Sequence, residues 1–250
     1  MKNKIFDVVM TATIRPQVVE LTLKSFFKNF LYQFDNLRLI INIDPIGDLN
    51  YGVQDIIEIC QKYFNNIVVN TPTEPSFPKA VQWCWSKVES EYFLHLEDDW
   101  LLKKHIDQKK IFNLFECEEI KSIRLYLSAN KKLQYDKCYI YSNGFSLNPS
   151  VMRNSFIQSM LERFDIRQDP EKQFADLKSG EMYKFVVFGS LEDGYFTIDI
   201  GKKWRKFHNF LKPNITKSDK KTWSRSYSKF NLTSCLNYYF YMIYWRLLIL

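Results

Sequence analysis

The sequence predicts an α/β fold with a mainly parallel sheet, on three observations. Apolar strand-like runs alternate with amphipathic helices over residues 5–100. The runs are continuously apolar, as strands buried on both faces are. Distinctive polar groups stand where these runs end, and such sheets bind ligands beyond the carboxyl ends of their strands.

The elements follow in order. Residues 5–11 read as a buried strand, and Arg15-Pro16 then opens a helix, because proline is tolerated in the first turn. Val19, Leu23, Phe26, Phe27 and Phe30 share one face of it. Leu37 to Ile43 is a second strand, closed by Asp44-Pro45. Residues 53–64 suit a helix with Ile56, Ile57 and Cys60 inward, Ile67 to Val69 a third strand, residues 78–88 a helix, and Tyr92 to Leu96 a fourth strand. The second half changes character. Ser122 to Leu127 reads as a strand, and residues 134–147 as a hairpin region around Ser142-Asn143-Gly144. Pro149 opens a helix to about Arg163, and Asp169-Pro170 opens another with Asp169 as N-cap. Residues 183–200 read as two strands about Glu192-Asp193-Gly194, since Asp-Gly signals a hairpin turn. The expected organisation is a nucleotide-binding half over 1–120, an acceptor-side α+β half of the same domain over 121–200, and a basic and apolar C-terminal segment over 201–250.

Composition excludes some functions. With 7 glycines in 250 residues, and neither a Walker A pattern nor G-x-G-x-x-G, most glycine-dependent phosphate cradles are ruled out. The five cysteines, Cys60, Cys84, Cys117, Cys138 and Cys235, form no Cys-x-x-Cys pair, and three fall in apolar stretches. A reducing cytoplasm is the expectation, with no secretory signal at the N-terminus. The net charge of +7 is concentrated: residues 201–229 hold ten Lys or Arg against one acid, Asp219. That segment suits an anionic partner or a solvated loop.

The chemistry centres on Glu97-Asp98-Asp99, three carboxylates that end the apolar run from Tyr92. Adjacent like charges repel, and a hard divalent ion relieves this with oxygen ligands, leaving positions for phosphate oxygens. Such an ion stabilises a departing diphosphate as a Lewis acid. A solvated turn is the bland reading of a lone acidic triplet. Its place after a buried strand favours the functional one.

Together, the run from Asp7 through Thr11, Ala12 and Thr13 to Arg15-Pro16, the strand ending at Asp44, and Glu97-Asp98-Asp99 resemble a GT-A-type glycosyltransferase, similar to glycosyltransferase family 2. The likeness covers residues 5–100 well and the remainder loosely. It implies a mainly parallel nucleotide-binding sheet flanked by helices, with an acceptor-side α+β portion. It also implies that Thr11, Ala12, Thr13, Arg15, Asp44, Glu97 and Asp98 contact the donor nucleotide. Glu97 stands where the family's D-x-D signature has its first aspartate, and Asp99 where it has its last. Mn²⁺ or Mg²⁺ would then sit on Asp99 and Glu97, with His208 as a further candidate ligand. Lys79 falls where the family packs a helix beside the diphosphate, and is as easily a solvated lysine.

An inverting transfer needs a carboxylate base. Glu171, at an expected helix start, is the first candidate, where a bland helix-dipole role competes. Glu192 and Asp193 are the alternative, although Glu-Asp-Gly is also a simple hairpin turn. Asp98 is counted with the catalytic acids. Asn148 and Arg153 are candidates for an acceptor wall. His95, inside a strand, reads as a core histidine.

The reading is thus a metal-dependent transfer of a sugar from a nucleotide diphosphate sugar to an acceptor hydroxyl. The acceptor is a cell-surface or lipid-linked saccharide, the alternative a modified nucleic acid, as for some viral enzymes. A catalytically silent GT-A-like binding module is the rival from another class. The apolar stretch 236–250 is too short for a confident bilayer span. It suits either peripheral contact at the inner face of a membrane or a helix docked on the core.

Overall fold

The computed structural model describes residues 4–125, 134–135, 140–142, 144–174, 176–177, 182–190, 193–208, 210–211, 224–225 and 232–249. Its first half runs β1 (Phe6–Ile14), α1 (Pro16–Asn29), β2 (Leu37–Gly47), α2 (Val53–Gln61), β3 (Asn66–Asn70), α3 (Phe77–Ser86) and β4 (Tyr92–Glu97). There follow β5 (Trp100–Leu102), α4 (Gln108–Leu114), β6 (Ile120–Arg124), β7 (Gln134–Tyr135), β8 (Ile140–Ser142), β9 (Ser150–Arg153), α5 (Asn154–Leu161), β10 (Lys184–Val187) and β11 (Thr197–Asp199). The C-terminal part holds α6 (Gly201–Phe207), β12 (Phe210–Leu211), β13 (Ser224–Arg225) and α7 (Leu232–Ile249).

One nine-stranded sheet carries the fold, in the order β3-β2-β1-β4-β9-β6-β10-β8-β7. β3, β2, β1 and β4 are parallel neighbours, and β10 runs parallel to β6. The short β9 is antiparallel to both β4 and β6, and so bridges two parallel blocks. The mainly parallel α/β class expected from the sequence is observed.

Burial explains the first half. Val8, Met10, Leu39, Ile41 and Leu94 face one side of the sheet, where Val19, Leu23, Phe26 and Phe30 of α1 and its following residue meet them. Val9, Ile40 and Phe93 face the other, against Val81, Cys84 and Trp85 of α3. Truncating a wholly buried ring such as Phe26 costs about 3–5 kcal/mol. At the end away from the strands' carboxyl termini, Asp7 accepts from Arg38 Nε at 2.7 Å and from the backbone N–H groups of Glu89 and Ser90. Burial raises this carboxyl, but those bonds outweigh it and hold it below its ordinary range.

Four expectations are corrected. Residues 150–153, expected as the start of a helix, form β9: Val151 packs on one face of the sheet and Met152 on the other, and the helix begins only at Asn154. Residues 183–200 are not a hairpin. β10 joins the main sheet, whereas β11 pairs with β5. The turn signal is genuine, since Gly194 has φ +63°, but the chain it turns goes to another sheet. Asp169 caps as expected, accepting from the N–H groups of Glu171 and Lys172, yet only a single 3-10 turn, Lys172–Phe174, follows. In the 134–147 region β7 and β8 pair antiparallel, and Ser142 is the last residue of β8 and not part of a turn, while residues 136–139 and Asn143 lie outside the described residues.

Candidate active site

Strand register assembles the site. β1 pairs Thr13 with Asp44 on one side and Thr11 with Glu97 on the other. The carboxyl ends of β1, β2 and β4 therefore place Thr11, Ala12, Thr13, Asp44 and the acidic turn on one edge. The turn is clamped from two sides: Asp98 N–H donates to Thr11 O at 3.2 Å, and Thr22 Oγ1 of α1 donates to Asp98 O at 2.7 Å.

Within that turn the carboxylates differ. Asp98 is buried, and its Oδ2 accepts from Thr13 N–H at 3.0 Å, from the Thr13 hydroxyl, and from Arg15 Nε at 3.2 Å. Its Oδ1 accepts from Arg15 Nη2. Asp99 Oδ2 accepts from Arg15 Nη2 at 3.2 Å and from Arg205 Nη1 at 3.3 Å. Glu97 is half-buried at the rim, where Trp100 Nε1 donates to its Oε2 at 3.3 Å. Arg15, 1% exposed, lies under the Trp204 ring with its guanidinium carbon 5.4 Å from the centroid. Burial opposes its charge, but Asp98 and Asp99 more than restore it.

Asp44 is the other perturbed acid. It accepts from Asn42 Nδ2 at 2.8 Å and from the Ser76 N–H at the start of α3, and Asn70 Nδ2 donates in turn to Asn42 Oδ1. Burial outweighs these bonds and pushes the carboxyl up to about 6.

No protein-family model and no curated protein matches the sequence. Among solved structures the chain is similar to HddC from Yersinia pseudotuberculosis, at TM-score 0.54 and 16% identity, over 78% of this chain and 94% of that one. It is similar to S. aureus TarS at TM-score 0.53 and 12% identity, over 78% and 36% of the two chains. It is similar also to the mannosyltransferase PcManGT from Pyrobaculum calidifontis in complex with GDP-Man and Mn²⁺, at TM-score 0.51 and 11% identity, over 76% and 58%. The fold is GT-A-like. At these identities the likeness is one of fold, and the chain spans only about a third of TarS and somewhat over half of the mannosyltransferase.

Set on the GT-A-like frame, the expected site residues separate into two groups. Thr11, Ala12, Thr13, Asp44, Glu97, Asp98 and Asp99 share one edge. Lys79 is exposed on the first turn of α3, close in sequence to Ser76 and its bond to Asp44. Asn148 lies just before β9, whose Ser150 pairs with His95, so it too stands towards the acidic end.

The others lie elsewhere or face inward. Arg15 is turned onto Asp98 and Asp99 and buried. His208 closes α6, its ring stacked 4.1 Å from that of Trp204. Among the described residues no three His, Cys, Asp or Glu side chains gather as metal ligands, so Glu97, Asp99 and His208 are not brought together as a set. Arg153 is corrected outright: it donates to the Tyr92 hydroxyl and to the Phe115 and Ile120 carbonyls, beside the opposite end of β4. Glu171 is half-buried in its turn, its N–H bonded to Asp169. Asp193 accepts from the Ser190 N–H at 2.7 Å, which holds its carboxyl below the ordinary range, while Glu192 lies outside the described residues. His95 is a buried core histidine: Trp85 Nε1 donates to its Nδ1, and burial lowers it to about 3.

Three residues not singled out from sequence complete the site. Asp199, opposite Trp100 in the β11–β5 pair, is raised first by desolvation of its carboxylate and then by the charge of Asp99. Arg205 reaches Asp99 from α6. Gly201 lets α6 approach: a Cβ there would stand 1.8 Å from Asp99 Oδ2.

Glu97 and Asp99 are oxygen donors of the kind a hard divalent ion takes, but Asp99 Oδ2 is paired with Arg15 and Arg205. Mg²⁺ is commonly held by one or two carboxylates together with substrate phosphates, not by an all-protein cage.

Proposed function

We propose that the chain is a glycosyltransferase that moves a sugar from a nucleotide diphosphate sugar to an acceptor hydroxyl. The observation that carries the reading is the convergence of Thr13, Asp44 and Glu97-Asp98-Asp99 on the carboxyl edge of a GT-A-like sheet. The mannosyltransferase neighbour holds GDP-Man and Mn²⁺, and HddC has been captured with GMP-PN, which supports a nucleotide at this edge.

In this reading Thr11, Ala12, Thr13 and Asp44 hold the nucleoside, and Lys79 meets phosphate charge. Mn²⁺ or Mg²⁺ on Asp99 and Glu97 would supply Lewis acidity to the leaving diphosphate. Asp98 and Arg15 act as positioning residues: their buried pair fixes the turn that presents Glu97 and Asp99. Glu171 is the proposed base that takes the acceptor proton. Its rival Asp193 is already engaged by Ser190 and is the poorer proton acceptor. The acceptor is a cell-surface or lipid-linked saccharide at the inner face of a membrane, supported by the cationic and apolar C-terminal helices. A silent binding module is the second reading, favoured by the arginines that occupy Asp98 and Asp99.

A panel of nucleotide diphosphate sugars, assayed for nucleoside diphosphate release with Mn²⁺ and with chelator, tests the reading. One donor should turn over, and chelator should stop it. Asp99→Ala should lower release roughly 100-fold or more, and Glu171→Gln should remove turnover while leaving donor binding. Release that survives Asp99→Ala would overturn the acidic-centre assignment. A folded protein that binds donors and turns none over would establish the silent module.

A further inference from the structure

The outer face of α7 is used by nothing described above. Its inner face docks: Tyr238, Met242 and Trp245 are buried against Val18, Leu101 and Trp204. Its outer face carries Leu236, Tyr239, Phe240, Ile243, Tyr244 and Leu247, spaced by three and four residues and so aligned in one stripe. Each is between 52% and 69% exposed. A contiguous apolar stripe of this kind marks an interaction surface.

The charges beside it select the occupant. Neither α6 nor α7 contains an acidic residue, and their charges are Lys202, Lys203, Arg205, Lys206 and Arg246. Arg205 turns inward onto Asp99, whereas the three lysines and Arg246 are exposed, with the Lys203 ammonium 3.6 Å from the Tyr241 ring centroid. A second copy of the chain in a two-fold contact would set these cations against one another with no acid on either helix to meet them. An anionic lipid surface meets both features: headgroups take the cations, and the acyl boundary takes the stripe. Tyrosine and phenylalanine are well suited to that boundary. No helix among the described residues is long and apolar enough to cross a membrane.

We propose that α7 lies flat on an anionic membrane, with the stripe from Leu236 to Leu247 seated at the headgroup–acyl boundary and the α6 lysines and Arg246 on the headgroups. The docked pair of helices leads directly to the candidate centre. α7 rests on α1 and α6, and α6 begins at Gly201 in close approach to Asp99. On the transferase reading, which this consequence alone rests on, the edge carrying Glu97 and Asp99 then serves an acceptor borne by the membrane.

The test is co-sedimentation of the full chain with vesicles of phosphatidylcholine alone and with phosphatidylserine added. The protein should bind the mixed vesicles, bind the neutral ones poorly, and release as salt rises. Phe240→Ser with Leu247→Ser, both on the exposed face, should weaken vesicle affinity roughly tenfold or more at an unchanged melting temperature. A second pair, Tyr239→Ser with Tyr244→Ser, gives the same reading should the first lower that temperature. Failure to bind phosphatidylserine vesicles, or binding that survives both pairs, overturns the proposal. So does a concentration-dependent dimer that both pairs dissolve. Donor turnover without vesicle binding removes the membrane seat and leaves the transferase reading intact.

Discussion

At the scale of single residues, the site is a balance between burial and pairing. Arg15 and Asp98 are both wholly inside, and each answers the other's charge. Such a pair adds little net stability, but breaking it strands a buried charge at a cost of about 3–5 kcal/mol. Asp44 has no arginine and is met by the Asn42 amide and the Ser76 N–H, so its burial shows in its titration. The folded chain holds the Asp44 proton to about pH 6, against an ordinary 3.8. The folded state therefore binds more protons than the unfolded one between those values, and stability falls as pH rises through that window. The expected loss is up to about 3 kcal/mol. Asp44→Asn keeps an acceptor for the same donors and cannot ionise. Its melting temperature should gain on wild type between pH 4 and pH 7, with Asp199 common to both proteins. Parallel melting curves across that range would contradict the placement of Asp44. The sequence marks Thr13, Asp44 and Asp99 because each ends an apolar run. It does not mark Arg15 as a buried counter-ion, since an arginine before a helix-opening proline reads equally as a ligand contact.

At the scale of elements, β1, β2, β4 and the first three helices were legible because their apolar runs are long and alternate, and Pro16 and the acidic triplet mark a helix start and a strand end; β2 itself runs on past Asp44-Pro45 to Gly47. β5, β9 and β11 were not. They have three, four and three residues, too few to show a period, and tertiary pairing alone makes them strands. The β5–β11 pair matters most, because it sets Asp199 opposite Trp100 and starts α6 at Gly201 beside Asp99. The basic segment 201–229 reads as a surface for an anion or a solvated loop, and residues 209, 212–223 and 226–229 of it lie outside the described residues. Among the described residues Trp204 and Arg205 turn inward, while Lys202, Lys203 and Lys206 stay exposed. Gly201→Ala tests the close approach. The added methyl meets backbone-anchored Asp99 and must displace α6 or the carboxylate, at a cost of about 1–3 kcal/mol. The variant should melt lower than wild type and lose donor turnover with the shifted Asp99. Unchanged melting and turnover would show that α6 does not lie against the acidic turn.

At the scale of the whole molecule, a mainly parallel sheet gathers groups far apart in sequence on one edge. That convergence was legible in outline, since strand ends of a parallel sheet share one side. The acceptor side was less so. Arg153 was expected near it, but β9 runs antiparallel to β4 and carries Arg153 to the far end. Without knowledge of strand direction, a residue at one end of β9 cannot be assigned to an edge. On the proposed function, the edge formed by β1, β2 and β4 binds a nucleotide diphosphate sugar. Calorimetric titration of the purified chain with such sugars, for wild type, Asp44→Ala and Asp99→Ala, tests it most directly. Wild type should bind at least one donor saturably and one-to-one, with binding weakened roughly tenfold or more in both variants. Binding by none of the donors, or binding that neither substitution alters in a folded protein, would contradict it.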